Sequence, residues 1–121
     1  MNKNNLIDSL RNKGFENKIV YAFRLVNRED FVPKHWREHA YDDIPLDIGE
    51  GQAISQPYTI AFMLSLLDLK NDLKVLEIGS GSGYVLALLS EISKNSEIYG
   101  VERIRALYKR SLESLKNYPV S

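Results

Sequence analysis

Three of the seven glycines, Gly79, Gly81 and Gly83, fall within five residues of one another, directly behind the apolar run Val75-Leu76-Glu77-Ile78. Glycine is costly inside regular structure, so such a cluster marks backbone that must turn sharply or let something approach closely. The run before it reads as a short strand. After it, Val85, Leu88, Leu89 and Ile92 recur at helical spacing, which puts the glycines at a strand-to-helix turn. Glu97-Ile98-Tyr99-Gly100-Val101 reads as a second strand, and Ile104, Leu107, Tyr108, Ser111 and Leu115 as the inward face of a second helix. Strand, loop, helix, strand and helix in that order predict an α/β fold with a parallel pair and a right-handed crossover. Two parallel strands leave open edges and cannot cover both faces, so the sheet is expected to be incomplete, with Tyr118-Pro119-Val120-Ser121 adding no strand.

The first half is punctuated differently. Leu6, Ile7 and Leu10 form an apolar stripe that stops at Gly14, and Ile19, Ala22, Phe23 and Val26 repeat at the spacing of a buried helix face. From Phe31 to Gln56 no period is clear, and Pro33, Pro45, Gly49 and Gly51 interrupt the stretch. An irregular segment of that length is more often functional than idle. Pro57 suits the first turn of a helix whose face is Ile60, Met63, Leu64 and Leu67. The chain therefore divides into a helical region with a loop, residues 1–56, and an α/β region, residues 57–121.

Composition excludes several functions. Sixteen basic residues against sixteen acidic ones give no net field to draw in nucleic acid or an acidic membrane. The absence of cysteine removes disulfides, thiolate metal sites and a catalytic thiol together, and it fits a reducing cytosol. Met1-Asn2-Lys3-Asn4-Asn5 lacks the apolar stretch of a signal peptide, and no uncharged run approaches the ~18 residues of a membrane span. The expectation is a cytoplasmic protein with no membrane partner.

The glycine turn lies where open α/β sheets bind ligands, and the helix after it offers free N–H groups. Glu102, 19 residues beyond Gly83, sits at the tip of the next strand, where a carboxylate can accept hydrogen bonds from both hydroxyls of a ribose. The dinucleotide fingerprint fails because position 84 is Tyr84, and the G-K-[ST] of a phosphate-binding loop is absent. The spacing G-x-G-x-G, with Glu77 two residues before the first glycine, resembles the S-adenosyl-L-methionine loop of class I methyltransferases. That cofactor carries a ribose and no phosphate. On this resemblance the cofactor-binding residues are Glu77, Gly79, Ser80, Gly81, Ser82, Gly83, Glu102 and Arg103. The plainer alternative is a shaped turn with Glu102 as a helix-start acid.

A second run makes the resemblance specific. Tyr41-Asp42-Asp43-Ile44-Pro45-Leu46, then Ile48-Gly49-Glu50-Gly51-Gln52-Ala53-Ile54-Ser55-Gln56-Pro57, resembles the protein-L-isoaspartate O-methyltransferase family. Members carry G-Q-[TA]-I-S-x-P upstream of V-L-E-I-G-x-G-S-G-Y, and a V-x-R-x-x-F-V-P approach matched here by Val26, Arg28, Phe31, Val32 and Pro33. The resemblance implies a Rossmann-like class I methyltransferase fold, of which this chain reads as the N-terminal portion, with turnover by these residues alone left open. It implies Ser55 as the active-site serine and places Ala53, Ile54, Ser55 and Gln56 beside the cofactor. Its substrates would be proteins or peptides bearing L-isoaspartyl residues, methylated on the free carboxylate as a repair step. Such a carboxylate, with a pKa near ~4, is already ionised at neutral pH and needs positioning more than a base.

Other patterns weigh less. His35-Trp36-Arg37-Glu38-His39 fits H-x-x-E-H, yet no further histidine exists to complete a metal site, and none is expected. Arg103, Arg105, Lys109 and Arg110 read as a solvated helix face, not a nucleic-acid surface. Tyr84 and Tyr99 read as aromatic residues packed against the sheet more than as cofactor flanks. The remaining alternatives are a non-catalytic cofactor-binding or interaction fragment, self-associating through its unfinished sheet edge, and a class I methyltransferase acting on RNA or a small molecule.

Overall fold

A computed structural model describes residues 1–121. The chain opens with α1 (Lys3–Asn12), where the Asn2 side chain accepts from the Asn5 amide at 2.8 Å and the Asn5 side chain accepts from the Asn2 amide at 3.1 Å. This reciprocal cap satisfies two of the amide groups that a helix start leaves free. Leu6, Ile7 and Leu10 turn inward, against α2 (Asn17–Leu25) with its buried Ile19, Val20, Ala22 and Phe23. Two short 3₁₀ turns follow, Arg28–Phe31 and Lys34–His39.

The segment read as aperiodic holds a β-hairpin. Strand β1 (Leu46–Gly49) pairs antiparallel with β2 (Gln52–Ile54), Leu46 opposite Ile54, with a bulge between Asp47 and Gly49. Leu46, Ile48 and Ile54 point into the core. Strands of four and three residues are too short to show a two-residue alternation, which is why the pattern hid them. Helix α3 (Pro57–Leu66) starts with proline at its first position, as expected. Its inward face is Ile60, Ala61 and Leu64, whereas Met63 and Leu67, placed on that face from sequence, are 61% and 57% exposed.

The second half follows the expected order: β3 (Lys74–Ile78), α4 (Tyr84–Ile92), β4 (Glu97–Val101) and α5 (Arg105–Ser114). β3 and β4 are parallel, in register from Lys74 opposite Glu97 to Ile78 opposite Val101. Helix α4 is buried along Leu86, Leu88, Leu89 and Ile92 and packs on both α2 and β4. On α5, Leu107 and Ser111 face inward four residues apart, and Tyr108, expected among them, is 48% exposed one position round the helix. The last residues also depart from expectation. Val120 bridges Ile98 in parallel, the Ser121 amide donates to the Ile98 carbonyl, and the Gly100 amide donates to the Ser121 carbonyl, both at 2.8 Å. The chain end therefore covers the outer edge of β4, leaving β3 as the open edge.

Gly100 shows how tightly sheet and helix approach. A Cβ there would stand 2.3 Å from Leu86 Cδ1 and 3.1 Å from Ser80 Cβ, inside the glycine loop. Gly100→Ala is expected to lower stability by about 2 kcal/mol through overpacking, read as a fall in the urea midpoint. An unchanged midpoint would mean that the Leu86 side chain turns aside at little cost.

Candidate functional site: the glycine loop and its two acids

The turn after β3 is sewn to the end of β4. The amides of Gly79 and Ser80 both donate to the Val101 carbonyl, at 2.7 and 3.1 Å, and the Gly83 amide donates to the Ser80 carbonyl at 2.9 Å. Gly79, Gly81 and Gly83 have φ of +78°, +54° and +90°, the left-handed region that side chains rarely enter. A Cβ on Gly79 would meet nothing within 4 Å, so the backbone there borders open space. Gly83 caps α4, and Ser82 Oγ accepts from the Tyr84 amide at 3.3 Å.

Glu102 turns into this loop. One carboxylate oxygen accepts from the Gly81 amide and the other from the Ile104 amide at the start of α5, each at 2.8 Å. A carboxylate has about four lone-pair positions, so each oxygen keeps one for a further donor. Glu77 is half-buried at the end of β3, and its Oε1 is enclosed with no hydrogen-bond partner. Burial, and secondarily the negative charge of Glu102, push the Glu77 carboxyl up to about 7. The loop therefore presents two acids in opposite surroundings, Glu102 hydrogen-bonded to two backbone amides and Glu77 half-buried with an unpartnered oxygen.

Ser55 is exposed just past β2, and it lines a cleft of about 260 Å3 together with Glu77. The walls are apolar, with Ile60, Leu64, Leu67, Val75 and Leu89 among them. Thus the hairpin end and the β3 end, 22 residues apart in sequence between Ser55 and Glu77, meet at one cavity. Of the other residues singled out from sequence, Ala53 is exposed opposite Asp47 and Ile54 is buried in the core. Gln56 precedes α3 and accepts from the Ile60 amide through its carbonyl at 3.1 Å. Arg103 is exposed between Glu102 and Ile104.

The remaining candidates separate from this site. His35 and His39 lie exposed on a 3₁₀ turn, His39 Nδ1 sits 2.9 Å from Asp42 Oδ2, and nowhere do three metal-binding side chains converge. No helix is long and apolar enough to cross a membrane. Tyr84 is fully enclosed, its ring against Phe23 and Phe31, while Tyr99 is exposed on the open face of the sheet. Arg28, noted in sequence only within the V-x-R-x-x-F-V-P run, is entirely buried, and charge at an otherwise aperiodic position gave no sign of that.

Comparison with known proteins agrees with this architecture. Residues 1–121 match the profile of the protein-L-isoaspartate(D-aspartate) O-methyltransferase family. A protein-L-isoaspartate O-methyltransferase of Thermosipho melanesiensis is 43% identical over 114 residues, covering 93% of this chain and 58% of the relative. Those of Methanothrix thermoacetophila and Petrotoga mobilis are 45% identical over 117 residues and 50% identical over 103, covering 55% and 47% of the relatives. The chain thus spans about half the length of the curated relatives it matches. Among solved structures, a protein-L-isoaspartate O-methyltransferase superposes with a TM-score of 0.89 at 28% identity, over 98% of this chain and 40% of the other. A Plasmodium falciparum protein solved under the same family name, in complex with S-adenosyl-L-homocysteine, gives 0.83 at 28% identity, over 98% and 56%. The fold is accordingly a partial Rossmann-like α/β fold.

Proposed function

The chain belongs to the protein-L-isoaspartate(D-aspartate) O-methyltransferase family, and on that premise we propose that it binds S-adenosylmethionine at the glycine loop and serves methylation of the free carboxylate of L-isoaspartyl residues in damaged proteins. The observation that carries this reading is the Glu102 carboxylate fixed between the Gly81 and Ile104 amides at the mouth of the loop. The residues present suit the cofactor. The spare lone pairs of Glu102 would accept from the two ribose hydroxyls, and the open space above Gly79 leaves room for the cofactor against the main chain. Glu77, whose Oε1 has no partner within the chain, lines the adjoining cleft with Ser55. Gly79, Ser80, Gly81, Ser82 and Gly83 cradle the cofactor, with Arg103 and the Ala53–Gln56 segment at its margins.

When bound, the cofactor supplies an electrophilic methyl group on a sulfonium centre. The chain's own work is positioning. The apolar walls of the Ser55 cleft exclude water from the incoming carboxylate, which strengthens every polar contact made there. The Ser55 hydroxyl holds one carboxylate oxygen so that the other is aimed in line, and no general base is required. In this reading residues 1–56 are a helical region ending in a loop that serves both substrate and cofactor, and residues 57–121 are the partial cofactor-binding α/β domain, in a cytoplasmic protein.

The test is methyl transfer from labelled S-adenosylmethionine to a peptide containing L-isoaspartate, against the same peptide with ordinary aspartate. Base-labile ester on the first peptide alone is the expected result; ester on both, or on neither, contradicts the substrate assignment. Within that assay Ser55→Ala is expected to lower kcat about 10- to 100-fold, with cofactor affinity within about twofold of wild type. A fall in cofactor affinity without a fall in kcat would move Ser55 from substrate positioning to cofactor binding.

A second reading has its own observation. β3 is an open edge whose outward backbone N–H and C=O groups have no strand partner, so pairing with another copy of the chain would complete their hydrogen bonds. Sedimentation decides it: concentration-dependent dimers favour pairing, and a monomer at all concentrations excludes it.

A further inference from the structure

Arg28 is the largest side chain the fold encloses completely, and no ion pair involves it. Its Nη2 donates to the Ile44 carbonyl at 3.2 Å, while Nε and Nη1 have no hydrogen-bond partner. Its guanidinium carbon lies 5.2 Å from the centroid of the Tyr84 ring, whose own hydroxyl is also unpartnered. Acids of the same region are engaged elsewhere: Asp43 accepts from the Tyr58 amide at 2.8 Å and Glu29 from the Tyr41 hydroxyl at 3.0 Å. Enclosing a cation against one carbonyl and one ring is a poor source of stability, and apolar replacement of buried charge is often neutral or stabilising.

What the side chain does accomplish is a connection. Ile44 lies two residues ahead of β1, and Tyr84 is the first residue of α4, directly behind the glycine loop. We infer that Arg28 is a positioning residue, a strut that locks the hairpin carrying Ala53–Ser55 onto the helix that carries the glycine loop. Guanidinium suits the task because it is extended and carries several donors, so that it reaches the Ile44 carbonyl while its cationic carbon lies within cation–π distance of the Tyr84 ring; a lysine ammonium is a single point charge and cannot serve both at once. The hairpin reaches the loop itself as well, since a Cβ on Gly81 would touch Ile48 Cδ1 at 3.6 Å.

The strut is tested without ligand, by amide hydrogen exchange and urea unfolding of Arg28→Met and Arg28→Lys. Arg28→Met is expected to fold with a midpoint at or above wild type, yet to exchange about 10-fold faster both at the β1–β2 amides and at Gly79–Gly83. Arg28→Lys should show the same loosening despite keeping the charge. In the loosened Arg28→Met protein S-adenosylhomocysteine should bind about 10-fold more weakly, a consequence that rests on the cofactor reading above. Unchanged exchange at Gly79–Gly83 in Arg28→Met overturns the proposal, and so does global unfolding of both variants, which would make Arg28 a plain stability element. Loosened exchange in a chain whose wild type does not bind S-adenosylhomocysteine contradicts the cofactor reading and leaves the strut standing.

Discussion

Replacing Glu102 by alanine weakens binding of S-adenosylhomocysteine by at least about 100-fold in a calorimetric titration. The figure follows from two lost hydrogen bonds between ribose hydroxyls and a charged acceptor, each worth about 1.5–3 kcal/mol, taken at the lower end. A second effect accompanies it, because the same carboxylate ties the Gly81 amide to the Ile104 amide, and alanine leaves both donors without their partner. Glu102→Gln separates the two effects. Its carbonyl keeps one of the amide bonds, whereas its NH2 points a donor at a backbone N–H, so stability is partly restored and ribose affinity is not. Equal affinity in wild type and Glu102→Ala would remove Glu102 from the cofactor site and reduce it to a brace between the glycine loop and α5.

The second large effect is on stability and belongs to Glu77. Its carboxyl has an ordinary value of 4.5 and is pushed to about 7 in the fold, by burial first and by Glu102 second. An acid raised on folding binds its proton more tightly in the native state, so between those two values the native state carries more protons than the unfolded chain. Stability therefore falls as pH rises through this window: the contribution is fully present below pH 4.5 and gone above about pH 7. A shift of this size corresponds to about 3 kcal/mol. Glu77→Gln, which cannot ionise, is expected to be more stable than wild type by about that amount at pH 8, with the advantage vanishing toward pH 4.5. Urea midpoints across the pH range measure it, and parallel curves for the two proteins would contradict the buried, unpartnered placement of Glu77. Holding an uncompensated acid beside an open loop costs stability in the free protein, as expected of a group waiting for a ligand.

Much of the second half was legible in the sequence because its elements are long and periodic enough to show their faces. Val75–Ile78 ran into glycines, Val85 to Ile92 kept helical spacing, and the parallel pairing of the two strands followed from the element order. The hairpin was not legible, since three- and four-residue strands contain too few alternations to register and their burial depends on elements distant in sequence, as where Ile48 reaches the glycine loop at Gly81. Met63 and Tyr108 were assigned to buried faces because each adjoins a true stripe position, Leu64 and Leu107, and only the neighbouring elements decide which of two adjacent rows is covered; Leu67 keeps the spacing of Ile60 and Leu64 but falls just past the end of α3, where the covered face has run out. Val120 escaped because proline and a short tail read as a terminus, and pairing with β4 is a non-local contact. At the site, spacing alone marked the glycine loop and the acid 19 residues beyond it, while the place of Ser55 depended on a family pattern. Glu77 and Arg28 belong to a third kind. Both residue types are ordinary in sequence, and their significance lies in burial without a partner, which no local pattern encodes.

The most direct measurement is a titration of the ¹⁵N-labelled chain with S-adenosylhomocysteine, followed amide by amide in two-dimensional NMR spectra. The account predicts saturable shifts concentrated at Gly79–Gly83, at Glu102 and Arg103, and at Ala53–Gln56 across the cleft, with α1 and the outer face of α5 undisturbed. Saturable shifts centred on any other surface, with the Gly81 and Ile104 amides unmoved, would contradict it.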